Sequence, residues 1–200
     1  MKNIITFLLM LLSLSSYSQT INIKDFNGKR VSGSYYKDAD FILDPYVGTW
    51  IYSNGADTLK IKLRKVIMAL SANNSHEDLI VGEYLYIRNG VEKINTLNSF
   101  NFDYTAQRRH NITGNAILES HHRPPCTSCS PNEKRLRLIL YEPLSTFAAS
   151  LTIRLITIGG QPALQVFKWG IAPIGRTPAE ISLYQSAIIE IGTDFTMIKQ

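Results

Sequence analysis

Cysteine is scarce in this chain: it occurs twice among 200 residues, at positions 126 and 129. That is too few for a scaffold held together by disulfides. No cysteine lies near residue 18, so a lipid anchor there would have no thiol to use. Long apolar runs are also missing. The one at Ile4 to Leu14 is about 11 residues, below the roughly 17 to 25 that a spanning helix needs, so no membrane-spanning segment is expected. The net charge is +5, yet no block of five like charges occurs, which argues against a nucleic-acid surface. No Gly-x-Ser-x-Gly, His-Glu-x-x-His or phosphate-binding glycine loop is present. Without a nucleophile beside a base, a non-enzymatic role with no cofactor is expected.

What is present begins with a charged start, Met1-Lys2-Asn3, then the apolar block, then Ser16-Tyr17-Ser18. These are the three parts of a secretory signal peptide, so residues 1–18 are expected to be removed and the protein to be secreted or periplasmic. The remainder is large enough for one domain that folds on its own core. Residues 19–46 are polar and turn-rich, and read as an N-terminal arm leading to a barrel at 47–200.

From Val47 apolar residues recur at every second position. Val47 to Ser53 and Thr58 to Leu70 flank Asn54-Gly55, and Leu79 to Arg88 and Val91 to Leu97 flank Asn89-Gly90. Asn-Gly between alternating runs is the strongest short-range hairpin signal. A strand near Asn115 to Ser120 and another at Lys134 to Tyr141 follow. Then Phe147 to Ile158 and Pro162 to Trp169 flank Gly159-Gly160, and a last apolar run covers Ile181 to Ile198, whose first part also suits a short helix. Regular short strands joined by tight turns predict an all-β fold: a single antiparallel up-and-down barrel of about eight to ten strands.

The opening of the first strand, Gly48-Thr49-Trp50 after Leu43-Asp44-Pro45-Tyr46-Val47, resembles the first-strand motif of the lipocalin and calycin barrels. That resemblance implies that Trp50 plugs one barrel end, with Gly48 beside it and Lys199 laid across the indole. The whole pattern, from signal peptide to terminal Ile198-Lys199-Gln200, resembles a family of small secreted bacterial proteins of unknown function.

Chemistry is densest at His121-His122-Arg123-Pro124-Pro125-Cys126-Thr127-Ser128-Cys129. In an oxidising compartment Cys126 and Cys129 are expected to close as a local disulfide. The alternative is a metal held by both thiolates with His121 or His122, and a fourth ligand from His110 or His76. Tyr84, Tyr86, Phe167 and Trp169 are candidates to line a cavity. Asp78, Glu83 and Glu92 are dispersed on alternating strands, where solvent exposure is the default; Glu83 alternates in step with Leu85 and Ile87, which allows it either to point inward or to mark a register slip near Gly82. Two readings of function follow. One is a barrel that holds a small apolar or amphipathic ligand in its interior. The other is a barrel filled by side chains, acting through its loops, above all 121–132, on a protein partner or a metal.

Overall fold

The computed structural model describes residues 19–143, 147–173 and 189–200. The expected signal peptide at 1–18 and the first part of the last apolar run, 181–188, lie outside the described residues. Among the described residues there are eleven strands: β1 Thr20–Asn22, β2 Tyr35–Lys37, β3 Gly48–Ser53, β4 Asp57–Leu70, β5 His76–Arg88, β6 Val91–Asn95, β7 Ile112–Leu118, β8 Arg135–Glu142, β9 Phe147–Ile158, β10 Gln161–Pro173 and β11 Asp194–Lys199. Eight of them, β3, β4, β5, β7, β8, β9, β10 and β11, close into an antiparallel barrel sealed where β11 meets β3.

The turns follow from their residues. Asn89 and Gly90 have φ of 50° and 74°, and Gly159 and Gly160 have 56° and 80°, the left-handed pairs that match the twist of a tight hairpin. At the first hairpin the Asn54 side chain accepts from the amides of Ala56 and Asp57, which widens the loop.

One hairpin leaves the up-and-down path. β6 pairs with β5, but β7 takes the next place in the barrel wall. Only Ile94 of β6 is buried, so β6 has little apolar surface to contribute to a wall. The outer edge of β5 is therefore shared along its length: β2 pairs with His76 and Glu77, β7 with Ile80 to Gly82, and β6 with Leu85 to Arg88.

The core is the inward side of the wall, because successive strand side chains alternate faces. Leu59, Ile61 and Leu63 of β4 meet Ile80, Tyr84 and Tyr86 of β5. Leu136, Leu138 and Leu140 of β8 meet Leu151 and Ile153 of β9, and all belong to one continuous buried cluster. Gly82 stands inward between two large residues because Lys62 O would lie 2.4 Å from any Cβ there.

Residues of the segment before β3 pack into this core. Leu43 and Tyr46 are buried with Trp50, and the Tyr46 hydroxyl donates to Lys134 O, 3.3 Å away beside β8. Asp38 fixes this segment, accepting from the amides of Ile42 and Leu43 and from Lys65 Nζ.

Candidate binding site

The segment between β7 and β8 folds back over the outer face of the wall. Cys126 and Cys129 are bridged, as expected from the compartment argument. Two arginines hold the segment down. Arg135 begins β8 on the parity opposite to Leu136, Leu138 and Leu140, so its side chain faces outward. Its guanidinium donates to Pro124 O and Glu119 O, each at 2.6 Å, and to His122 O at 3.0 Å. It is only 4% exposed, and its Nε is buried with no partner. Arg154 of β9 donates to Ser128 Oγ at 2.9 Å and lies 3.6 Å from Cys126 Sγ, with its charge paired to Glu133. Burial, and then the neighbouring Arg154 charge, lower the Arg135 pKa, so this cation is costly to place there.

Between loop and wall lies a pocket of ≈ 310 Å³. Pro124 to Ser128 form its roof; Thr152, Arg154, Gln165, Phe167 and Asp194 form its floor on β9, β10 and β11. Apolar rings with a few convergent polar groups are what small-molecule sites are made of.

The four aromatic residues expected to line one cavity divide between two sides of the wall. Tyr84 and Tyr86 point inward and are fully buried. The Tyr84 hydroxyl donates to Tyr141 O at 3.0 Å, and that of Tyr86 to Asp57 Oδ1 at 2.6 Å. Burial and the Asp57 hydrogen bond push Tyr86 up to about 12. Phe167 and Trp169 have the parity opposite to the buried Leu164 and Val166 and face outward. Phe167, 36% exposed, floors the pocket, while Trp169 Nε1 donates to Thr152 Oγ1 at 3.0 Å. A shared interior site for all four is thus corrected by strand parity.

The metal alternative is corrected by the bridge, which removes both thiolates. Among the described residues no group of three metal-capable side chains occurs. His121 and His122 pack on each other, ring centroids 4.3 Å apart, and His122 Nδ1 accepts from the amide of Glu119. His110 belongs to another cluster, bonded to Glu83, and His76 lies in β5.

Trp50 is fully buried and its Nε1 donates to Tyr46 O at 2.9 Å. The Lys199 ammonium lies 5.1 Å from the indole centroid. Gly48, with φ of 136°, leaves room for that lysine: a Cβ there would stand 2.8 Å from Lys199 Cε.

Comparison with known sequences adds one finding: the profile of a family of unknown function, DUF6705, matches residues 1–200. The chain belongs to DUF6705. No curated protein matches it, and no solved structure does.

In this DUF6705 member a second set of polar residues escaped sequence reasoning. Asp78 and Glu83, whose default is solvent exposure, are buried, as is Glu77. The segment 96–111 lies against the outside of β4 and β5, pinned by Arg64, which donates to Phe100 O, Phe102 O and Gln107 Oε1. Beneath it Glu83 bonds His110 Nδ1 at 2.7 Å and accepts from the Asn111 amide group at 2.7 Å. Burial pushes the Glu83 carboxyl up, but bonds from His110, Thr96 and Asn111 outweigh it and hold the pKa down. Glu77 accepts from Arg30, Arg108 and Asn115. Burial again acts upward and is outweighed, chiefly by Arg108, so Glu77 sits at about 2. The only sequence signal was the cluster of polar residues at 107–111, which period-two counting leaves unassigned.

Proposed function

We propose that this chain is a secreted, non-enzymatic binding protein. Its side-chain-filled barrel is the scaffold, and the pocket beneath the Cys126–Cys129 loop takes a small amphipathic molecule. The observation that carries this reading is the pocket itself: an aromatic floor at Phe167, a proline roof, and two arginines behind it. The interior supports ligand binding less well, since Trp50, Tyr84, Tyr86 and the leucines of β4 and β8 share one buried cluster there. An eight-stranded barrel is just wide enough to be filled in this way, and the barrel alone implies no interior ligand. The disulfide and the signal pattern at 1–18 support an oxidising compartment.

Native mass spectrometry of protein from its own host, compared with the denatured mass, tests this. A noncovalent mass of a few hundred daltons is expected on the wild type, the size class that pockets of this kind hold. Phe167→Arg, a change at a part-exposed position, is expected to abolish it. An adduct that persists in the variant would place the ligand elsewhere and sink the reading.

A further inference from the structure

The barrel wall splits at one place. β7 pairs with β5 only over Ile112 to Gly114, and below that point the edge of β5 passes to β2 of the arm. Asn115 bridges the parting, its side-chain amide donating to Asp78 O and Glu77 Oε2. In the gap between the arm and the free stretch of β7 lies a second pocket of ≈ 220 Å³, walled by Ile23, Phe26 and Tyr36 on one side and Ala116 to Leu118 on the other.

Its charge is one-sided. Lys24, Arg30 and Arg137 line it, and no carboxylate does. Lys24 is paired with Asp40. Arg30 shares Glu77 with Arg108, so one carboxylate answers two guanidiniums. Arg30 Nη1 is buried and has no acceptor. Arg137, half-buried on β8, has no hydrogen bond or ion pair among the described residues. Arg137 therefore brings unused donors to a small space that also offers the edge-to-face pair Phe26 and Tyr36, centroids 5.4 Å apart, with the Arg30 guanidinium over the two rings at 5.1 and 5.2 Å.

We propose that this cleft is a binding site for a small organic anion: a carboxylate carried on a flat apolar body. The carboxylate takes the free donors of Arg137, which present the planar fork that matches it, with the Arg30 charge nearby, and the body lies against Phe26 and the apolar stretch Ala116 to Leu118. The volume suits a single ring and excludes larger drug-sized ligands. The site is separate from the pocket beneath the disulfide loop and stands or falls independently of it.

Benzoate and its neutral counterpart benzamide are the probes, titrated into the isotope-labelled full chain and read by NMR. With benzoate the Arg137 Nε–H and the amides of residues 115–118 are expected to shift. Benzamide is expected to leave them in place. Arg137→Gln removes a side chain that bonds to nothing else, so the fold is retained, and benzoate affinity is expected to fall at least about tenfold. Equal shifts with benzamide, unchanged affinity in the variant, or shifts confined to residues around Phe167 would each overturn the assignment.

Discussion

Glu77 shows how a single side chain is held against its own chemistry. A carboxylate with no exposed surface is normally driven toward its neutral form, yet here three donors keep it ionised. Its folded pKa of about 2 lies below the ordinary 4.5, so the stabilisation is fully present above pH 4.5 and is lost as pH falls from there toward 2. The amount is on the order of 3 kcal/mol. Thermal melts across that window are expected to show a steep loss for the wild type and a shallower one for Glu77→Gln, the remaining slope belonging to the other carboxylates held down by their partners, Glu83 among them. Identical slopes would show that Glu77 is not the group being titrated. None of this was legible in the sequence, because alternation assigns a residue to a face and is silent about what later covers that face.

At the scale of elements, the hairpins were legible and the coverings were not. Asn89-Gly90 and Gly159-Gly160 dictate their turns through φ alone, a local property, and the strands on either side follow. The segment 96–111 has no such local rule. It is placed by Arg64, more than thirty residues earlier in the chain, reaching backbone carbonyls at 100 and 102. The loop over β8 and β9 is held in the same manner. Arg135 offers a planar fork to carbonyls of Glu119, His122 and Pro124 together, which a lysine ammonium cannot reproduce. Arg135→Lys is therefore expected to cost about 1 to 3 kcal/mol and to open the loop to proteolysis between residues 120 and 134. A variant with wild-type stability and an intact loop would show that the disulfide alone suffices. The four aromatic candidates illustrate the same limit from the other side. Their types suggested a cavity, but strand parity put two in the core and two outside.

For the whole molecule, a buried contact joins the segment before β3 to the barrel. Trp50, Tyr46 and Leu43 form a single buried layer there, so truncating the indole leaves a hole that the surrounding strands cannot collapse into. Trp50→Ala is expected to cost about 3 to 5 kcal/mol, as large-to-small core changes do. Calorimetry would register this as a clear fall in melting temperature, and an unchanged value would remove Trp50 from its structural role. Gly48, Thr49 and Trp50 stand out in the sequence; that residues 38–46 would be fixed through Asp38 meeting Lys65 at 2.8 Å was not legible there.

The partition of β5's outer edge among three short strands has a consequence for encounters between copies of the chain. A long unpaired edge is a template on which another polypeptide can polymerise. Here the outer edge of β5 is tiled by β2, β7 and β6, and among the described strands β1, three residues long, and β6, five residues long, are the ones with a single neighbouring strand. β6 carries Glu92 and Lys93 in exposed positions, charges that discourage lateral growth. What looks like an interrupted barrel wall is thus also a defence against fibre formation, achieved by dividing one vulnerable border into pieces too short to recruit a stranger.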